Sequence, residues 1–203
     1  MPAMTRVEAA VCRSRPWRTF TGRVVLPWAL QGFEPDGHIL EIGAGSGAMA
    51  HEVLARHPGV TMTVTDFDPD MVRAARSRLA DFGDQRVTAR HADATALPFA
   101  DGTFDAVFSW IMLHHTLEWE KALNEAVRVA RAGGHVVGYD LLSTRPLRLV
   151  HSSGGGDSAH VRMMRLAELR AAVATMKGID EAILTPSVGG VAVRFLLRTA
   201  STI

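Results

Sequence analysis

The first clear pattern in the chain is His38-Ile-Leu-Glu-Ile42, a short and nearly unbroken apolar run that predicts a strand buried on both faces, as parallel strands are. Three alternate glycines follow, Gly43, Gly45 and Gly47, and then Met49, Val53 and Leu54 at helical spacing. A helix is therefore expected from near Ser46 to the His57-Pro58-Gly59 break. Val60 to Thr65 is rich in β-branched residues and predicts a second strand. Asp68-Pro69-Asp70 then offers a cap, a first-turn proline and an acidic residue at the positive end of a second helix, which runs through Ala75 and Leu79 to Phe82-Gly83.

The alternation from Arg86 to His91 predicts an edge strand, and Phe104 to Met112 a buried fourth strand. Ala122, Leu123, Ala126 and Val129 form the inward stripe of a helix that Gly133-Gly134 should close, ahead of a fifth strand from His135 to Asp140. Met163 to Met176 has helical character, and two β-rich runs, Ile179 to Thr185 and Val191 to Thr199, joined through Gly189-Gly190, predict an antiparallel ending. Before all of these, Trp17 to Leu30 is read as an amphipathic helix interrupted at Pro27. Strands alternating with helices predict a doubly wound α/β sheet.

At 203 residues, with 47% apolar and 21% charged positions, the chain has the composition of a single globular domain, and disorder and fibres are excluded. No apolar run reaches the roughly 20 residues of a membrane helix, and the arginine-interrupted start lacks a leader's continuous apolar centre, so a cytoplasmic protein is expected. Cys12 is the only cysteine, which rules out an intrachain disulfide; no metal site is expected.

The net charge of +1 conceals an uneven distribution. Residues 34–140 carry nine Lys/Arg against sixteen Asp/Glu, whereas 1–33 carry five arginines against Glu8, and 141–178 carry six basic residues against Asp157 and Glu168. The arginines are either solvated helix faces or, if the two basic segments converge, an attraction for an anionic acceptor. Nucleic acid is not an expected partner, because no long basic run interleaved with aromatics is present.

The glycine turn carries the chemistry. Glycines at alternate positions free the backbone to approach a ligand, and the helix that follows points its free N–H groups at whatever the turn holds. Gly43-Ala44-Gly45-Ser46-Gly47-Ala48 also fits the loose dinucleotide fingerprint. Glu41 in front of the glycines would repel a pyrophosphate and suits a cationic ligand. Asp66, 23 residues beyond Gly43, ends the second strand, where an acidic side chain can accept hydrogen bonds from both ribose hydroxyls.

Taken in order, ILEIGAGSG, TDFDPDM, HADATALPFADGTFDAVFS and LNEAVRVARAGGHVVGYD resemble the class I S-adenosylmethionine (SAM) dependent methyltransferases, specifically their small-molecule branch. The resemblance spans about Gly37 to Asp140 and departs from the family at Arg131-Ala132, where a proline commonly precedes the glycines. It implies a Rossmann-like doubly wound sheet of seven strands, in the order 3-2-1-4-5-7-6 with strand 7 antiparallel. It implies one domain: an N-terminal helical cap over 1–36, a cofactor core over 37–140, and a lid loop, helix and last two strands over 141–203. The implied cofactor is SAM, leaving as S-adenosylhomocysteine.

In that resemblance Gly43, Ala44 and Gly45 lie against the methionine portion, Glu41 supports its amino end, Asp66 holds the ribose and Phe67 covers the adenine. Asp93 and Ala94 read the adenine edge, and Ser109 and Trp110 border the methionine tail. His114 and His115 are candidates for a general base, with positioning of their loop as the competing role. The acceptor pocket would draw on the N-terminal segment, His114–Thr116 and the 145–160 loop, with Trp17, Phe20, Trp28 and Trp110 as candidate walls. The expected activity is in-line methyl transfer to O, N, S or C of a small molecule. A SAM-binding regulator without turnover and an NAD(P)-dependent oxidoreductase remain the alternatives.

Overall fold

The computed structural model describes residues 20–143 and 163–201. Trp17, Cys12, the Gly/Ser-rich run 152–158 and the expected lid loop fall outside the described residues. Seven strands form one sheet in the order β3-β2-β1-β4-β5-β7-β6. They are β1 (His38–Ile42), β2 (Thr61–Asp66), β3 (Val87–His91), β4 (Phe104–Trp110), β5 (Ala130–Leu141), β6 (Ile179–Pro186) and β7 (Ala192–Thr199). β1 to β5 are parallel, and β7 runs antiparallel between β5 and β6. The sheet order and the antiparallel seventh strand are those implied by the motif series.

Among the described residues five α-helices cover the two faces: α1 (Leu26–Leu30), α2 (Ala48–Arg56), α3 (Pro69–Leu79), α4 (Trp119–Val129) and α5 (Leu166–Thr175). The sheet divides the core in two because neighbouring strand residues point to opposite faces. Ile39, Ala106, Phe108, Trp110, Val137 and Tyr139 pack with α1, α2 and α3, while Leu40, Ile42, Val107 and Val136 pack with α4 and α5. Ile39, Leu40 and Ile42 are fully buried, as their apolar run predicts. Among the described residues no helix is long and apolar enough to cross a membrane.

The structure departs from the sequence pattern at four boundaries. α2 begins at Ala48 rather than near Ser46, because Gly45 and Gly47 both take positive φ (54° and 73°) and hold Ser46 in the turn. β4 stops at Trp110, short of Met112, where Ile111 turns the chain with φ 51°, a strained conformation for a β-branched residue. The Gly133-Gly134 pair does not close α4; the chain passes from Val129 straight into β5. Those glycines lie in a bulge of β5 opposite the Phe104–Ala106 step of β4, where a Cβ on Gly134 would stand 2.8 Å from two carbonyl oxygens. Near the N-terminus, Thr21–Val25 forms a π-helical turn, and Pro27 sits in the first turn of α1, where its missing N–H costs no hydrogen bond.

Candidate cofactor and acceptor site

Five parallel strands end on one rim, and the sequence delivers a polar or glycine-rich segment at each end. After β1, the backbone N–H of Ala44 bonds the carbonyl of Thr65 at the end of β2 (2.9 Å), and the Gly45 N–H donates to Asp66 Oδ2 (2.8 Å). Asp66 Oδ1 accepts from the Asp68 N–H (2.9 Å), so one carboxylate ties the glycine turn to the turn ahead of α3. Each oxygen retains a second lone pair for a ligand hydroxyl. Burial pushes the Asp66 pKa up and the two backbone N–H bonds oppose that shift.

The three glycines differ in what they make room for. A Cβ on Gly43 would lie 2.0 Å from Met112 Cγ, so this glycine lets the β4 exit pack under the turn. A Cβ on Gly45 would meet nothing within 4 Å, so here the backbone faces open space. α2 has no side-chain cap at Gly47, which leaves its first N–H groups for the ligand side.

Asp93 lies two residues past β3, on the same rim: Asp66 stands opposite His91 in the register, and the Ala92 N–H bonds the Asp66 carbonyl (3.1 Å). Asp93 Oδ1 accepts from both the N–H and hydroxyl of Thr95 (2.8 Å each), fixing a turn in which Ala94 is buried. Phe67 is 39% exposed beside this turn, with its ring 5.6 Å from that of His91. The structure thus gathers Gly43, Ala44, Gly45, Asp66, Phe67, Asp93 and Ala94 at the ends of three adjacent strands.

Near the turn lie three polar atoms of another character, those of Glu41 and Trp110 on one face of the sheet and that of Ser109 on the other. Glu41 is 1% exposed and its Oε2 has no hydrogen-bond partner; Ser109 Oγ and Trp110 Nε1, at the end of the neighbouring strand β4, are likewise buried and unpaired. Burial drives the Glu41 pKa up to about 8, with the nearby Trp110 indole lowering it and the Asp66 charge raising it further. The Trp110 N–H is close enough to influence Glu41, yet its geometry falls short of a hydrogen bond. Buried polar groups left unpaired in a protein point to a missing partner. Glu41 Oε2 and Ser109 Oγ can accept from the N–H donors of a compact cation, whereas the Trp110 N–H, a donor only, needs an acceptor oxygen.

Across β4 and β5 the rim changes again. Leu113–His115 forms a single 3-10 turn whose backbone and side chain are both held by Asp140, near the end of β5. Asp140 is fully buried and accepts from the Leu113 N–H (2.7 Å), the Leu141 N–H (2.6 Å) and His114 Nδ1 (2.6 Å). Three donors satisfy the carboxylate, so His114 carries its proton on Nδ1 and presents Nε2 as the acceptor nitrogen. The His115 ring stacks 3.9 Å from that of His114. Sequence reasoning found both histidines and missed Asp140; the available signal was a charged residue near the end of the otherwise apolar strand Val136–Tyr139.

Of the expected aromatic walls, Trp28 stacks edge-on against Tyr139 (5.2 Å), Tyr139 lies 5.9 Å from Trp110, and Arg194 reaches over Trp28 while bonding its carbonyl. Phe20 is half exposed and Trp17 lies outside the described residues. A separate hollow lined by Arg170, Val173, Met176 and Asp180 lies between α5 and the outer strand β6.

A glycine turn and two carboxylates, Asp66 and Asp93, gathered on one rim of a doubly wound sheet are the arrangement of a nucleoside-cofactor α/β domain. Residues 39–134 match the methyltransferase domain family model, and the sheet order is that of the class I SAM-dependent methyltransferases. The demethylmenaquinone methyltransferase of Clavibacter sepedonicus is 38% identical over 146 residues, covering 72% of this chain and 55% of its own. The ubiquinone/menaquinone biosynthesis C-methyltransferase of Geotalea daltonii is 30% identical over 125 residues, 61% of this chain and 51% of its own. The chain thus spans about half the length of the curated relatives it matches.

A SAM-dependent methyltransferase from Aquifex aeolicus superposes with a TM-score of 0.73 at 16% identity, covering 98% of this chain and all of the other. The [4+2]-cyclase SpnF superposes equally well, with a TM-score of 0.73 at 18% identity, over 94% and 85%. Likeness at that identity establishes the fold, and a cyclase on the same fold means the site must establish the chemistry.

Proposed function

We infer that the protein transfers the methyl group of SAM to a small-molecule acceptor. The observation that carries this reading is the buried carboxyl of Glu41, its Oε2 unpaired, beneath an open glycine turn. A dinucleotide's pyrophosphate brings no cation to pair with Glu41 there, which disfavours the oxidoreductase alternative. Glu41 and the turn would hold the amino-acid end of the cofactor, Asp66 the ribose, and Asp93 with Ala94 and Phe67 the adenine. Bound SAM supplies an activated sulfonium methyl.

The chain's own contribution is to orient the acceptor, exclude water and accept a proton where the acceptor must lose one. Nε2 of His114 is the atom assigned to that proton, and Asp140 compensates the imidazolium charge that results. This favours acceptors whose attacking atom is acidic when activated, such as the hydroxyl or ring carbon of a phenol or quinol, over amines that need no base. The curated relatives named for quinone substrates support the same class. The cytoplasm remains the expected setting.

Calorimetry with SAM, S-adenosylhomocysteine and NADH on the same preparation tests the donor. Binding of the first two without the third is expected, and the reverse outcome would reject the assignment. Methyl-labelled SAM with a panel of quinols, phenols and amines then tests the acceptor. Labelled product from amines alone would overturn the role of His114, and no product from any acceptor would favour the regulator without turnover.

A further inference from the structure

The unpaired carboxyl of Glu41 has a consequence for how the cofactor binds, on the reading that the cofactor is SAM. Glu41 sits on the face of β1 shared with α1 and α2, and those helices turn apolar side chains into that core: Leu26 and Ala29 from α1, Met49 and Ala50 from α2. β4 brings the uncharged Trp110, with Tyr139 of β5 behind it. β2 brings Asp66, a second acid. No cation pairs with Glu41 among the described residues; Oε2 makes no hydrogen bond, and burial outweighs the nearby Trp110 N–H, which favours the charged form. A carboxylate 1% exposed, without a counter-ion and beside another acid, is costly to keep ionised.

We propose that Glu41 is protonated while no ligand is bound and expels that proton when an ammonium group takes its place beside the carboxylate. The O–H bond of the carboxyl breaks, the proton passes to solvent, and the ligand's N–H donors replace it at the oxygen. The glycine turn is then a proton-coupled cation subsite, and affinity for SAM rises with pH through the range in which free Glu41 is protonated. The burial-raised pKa of about 8 puts that range across neutrality. The ligand's own α-amino group loses its proton only near pH 7.7–8.0, so the effect is cleanly read below about pH 7.

The test is calorimetry on the whole chain at pH 6.5, in three buffers of different ionisation enthalpy, with SAM, S-adenosylhomocysteine and 5′-methylthioadenosine. The last keeps the adenosine and lacks the ammonium. Release of close to one proton is expected with SAM and with S-adenosylhomocysteine and none with 5′-methylthioadenosine. SAM affinity should rise by up to about tenfold per pH unit between pH 5.5 and 7.

Glu41→Gln, which keeps the shape and cannot release a proton, should bind with no proton exchange and a flat profile. If that variant does not bind, the buffer dependence of the unaltered protein still decides. SAM binding with no proton release, release that persists in Glu41→Gln, or equal release with 5′-methylthioadenosine would each overturn the proposal. Failure of all three ligands to bind the folded protein would overturn the cofactor reading itself, and this inference with it.

Discussion

At the amino-terminal edge of the sheet, charged side chains are tied into networks; at the carboxyl-terminal rim, several buried polar atoms have no partner. Asp105 accepts the His38 N–H and Arg131 Nε (2.7 Å each), and both bonds hold its pKa below the usual carboxylate range, the backbone bond most. Arg128 binds Glu125, Asp101 and the carbonyls of Phe99 and Leu97, while Glu125 also accepts the Leu97 N–H. Arg86 closes the end of α2 through the carbonyls of Leu54, His57 and Val60. Across the sheet, Glu41, Ser109 and Trp110 are buried unpaired. The named groups at the first edge are paired without a ligand, and those at the second are not. Substitutions at the first should change stability alone, and removal of an unfinished group at the second should change binding with little loss, or even a gain, of stability.

The largest expected effect sets the two edges against each other in pH. Glu41 ionises near 4.5 when unfolded and at about 8 when folded, so between those values the folded state binds more protons and stability falls as pH rises. Asp105 and Glu125 are shifted downward, by the His38 N–H and by Arg128 respectively, and have the opposite sign: their contribution is present above the unfolded carboxyl range and fades on acidification. Ligand-free Glu41→Gln should therefore be more stable than the unaltered protein at pH 8, by on the order of 4 kcal/mol at about 1.4 kcal/mol per pKa unit, with the difference closing toward pH 5. Urea titrations of both proteins at pH 5, 6.5 and 8 check this. A pH-independent difference would show that Glu41 is charged in the free protein.

How much of this was visible in the sequence follows from the range of the interactions. The donor half of the rim is built from local devices: alternate glycines at positive φ, an aspartate cap with proline in the first helical turn, and an aspartate accepting from the residue two ahead. Each is written in a few neighbouring residues, so Gly45, Asp66 and Asp93 could be named in advance. The acceptor half depends on Asp140 meeting His114 across 26 residues and on two strands being adjacent. No local pattern encodes that meeting. The Gly133-Gly134 bulge misled for the same reason: a helix-closing pair and a bulge pair look alike until the opposing Asp105 carbonyl is in place.

Next in size is Arg128→Ala at the finished edge. It removes charge-assisted bonds to two carboxylates and leaves two carbonyls short of a donor, in a side chain about one-third exposed. A loss of about 3 kcal/mol is expected, at 1.5–3 kcal/mol per bond to a charged group discounted for solvent. Thermal unfolding should show it, with the dissociation constant of S-adenosylhomocysteine unchanged. A weakened affinity would mean that the two edges are coupled through β4.

Asp66→Ala acts at the rim and should weaken SAM by about 2–3 kcal/mol, roughly 30- to 150-fold, on the scale for hydrogen bonds to a charged acceptor. Its bonds to Gly45 and Asp68 also go, so Asp66→Asn, which keeps one acceptor oxygen, is the companion variant. An intermediate affinity for Asn would separate ligand binding from turn geometry. Equal affinity in all three proteins would make Asp66 a turn residue only.

The smallest effect is the most discriminating, because Asp68 lies two residues from Asp66 on the same rim yet belongs with the finished groups. Its Oδ1 accepts the Asp70 N–H (2.8 Å) and caps α3, whose first turn holds Pro69. Asp68→Ala should therefore cost about 1 kcal/mol of stability, the usual value of an N-cap, and leave SAM affinity within a factor of two. If location on the rim decided function, its loss would weaken the cofactor as the loss of Asp66 does. If a polar group's unmet bonding capacity decides it, Asp68→Ala lowers the unfolding midpoint alone, and calorimetry on the two neighbouring variants separates the explanations within one turn of chain.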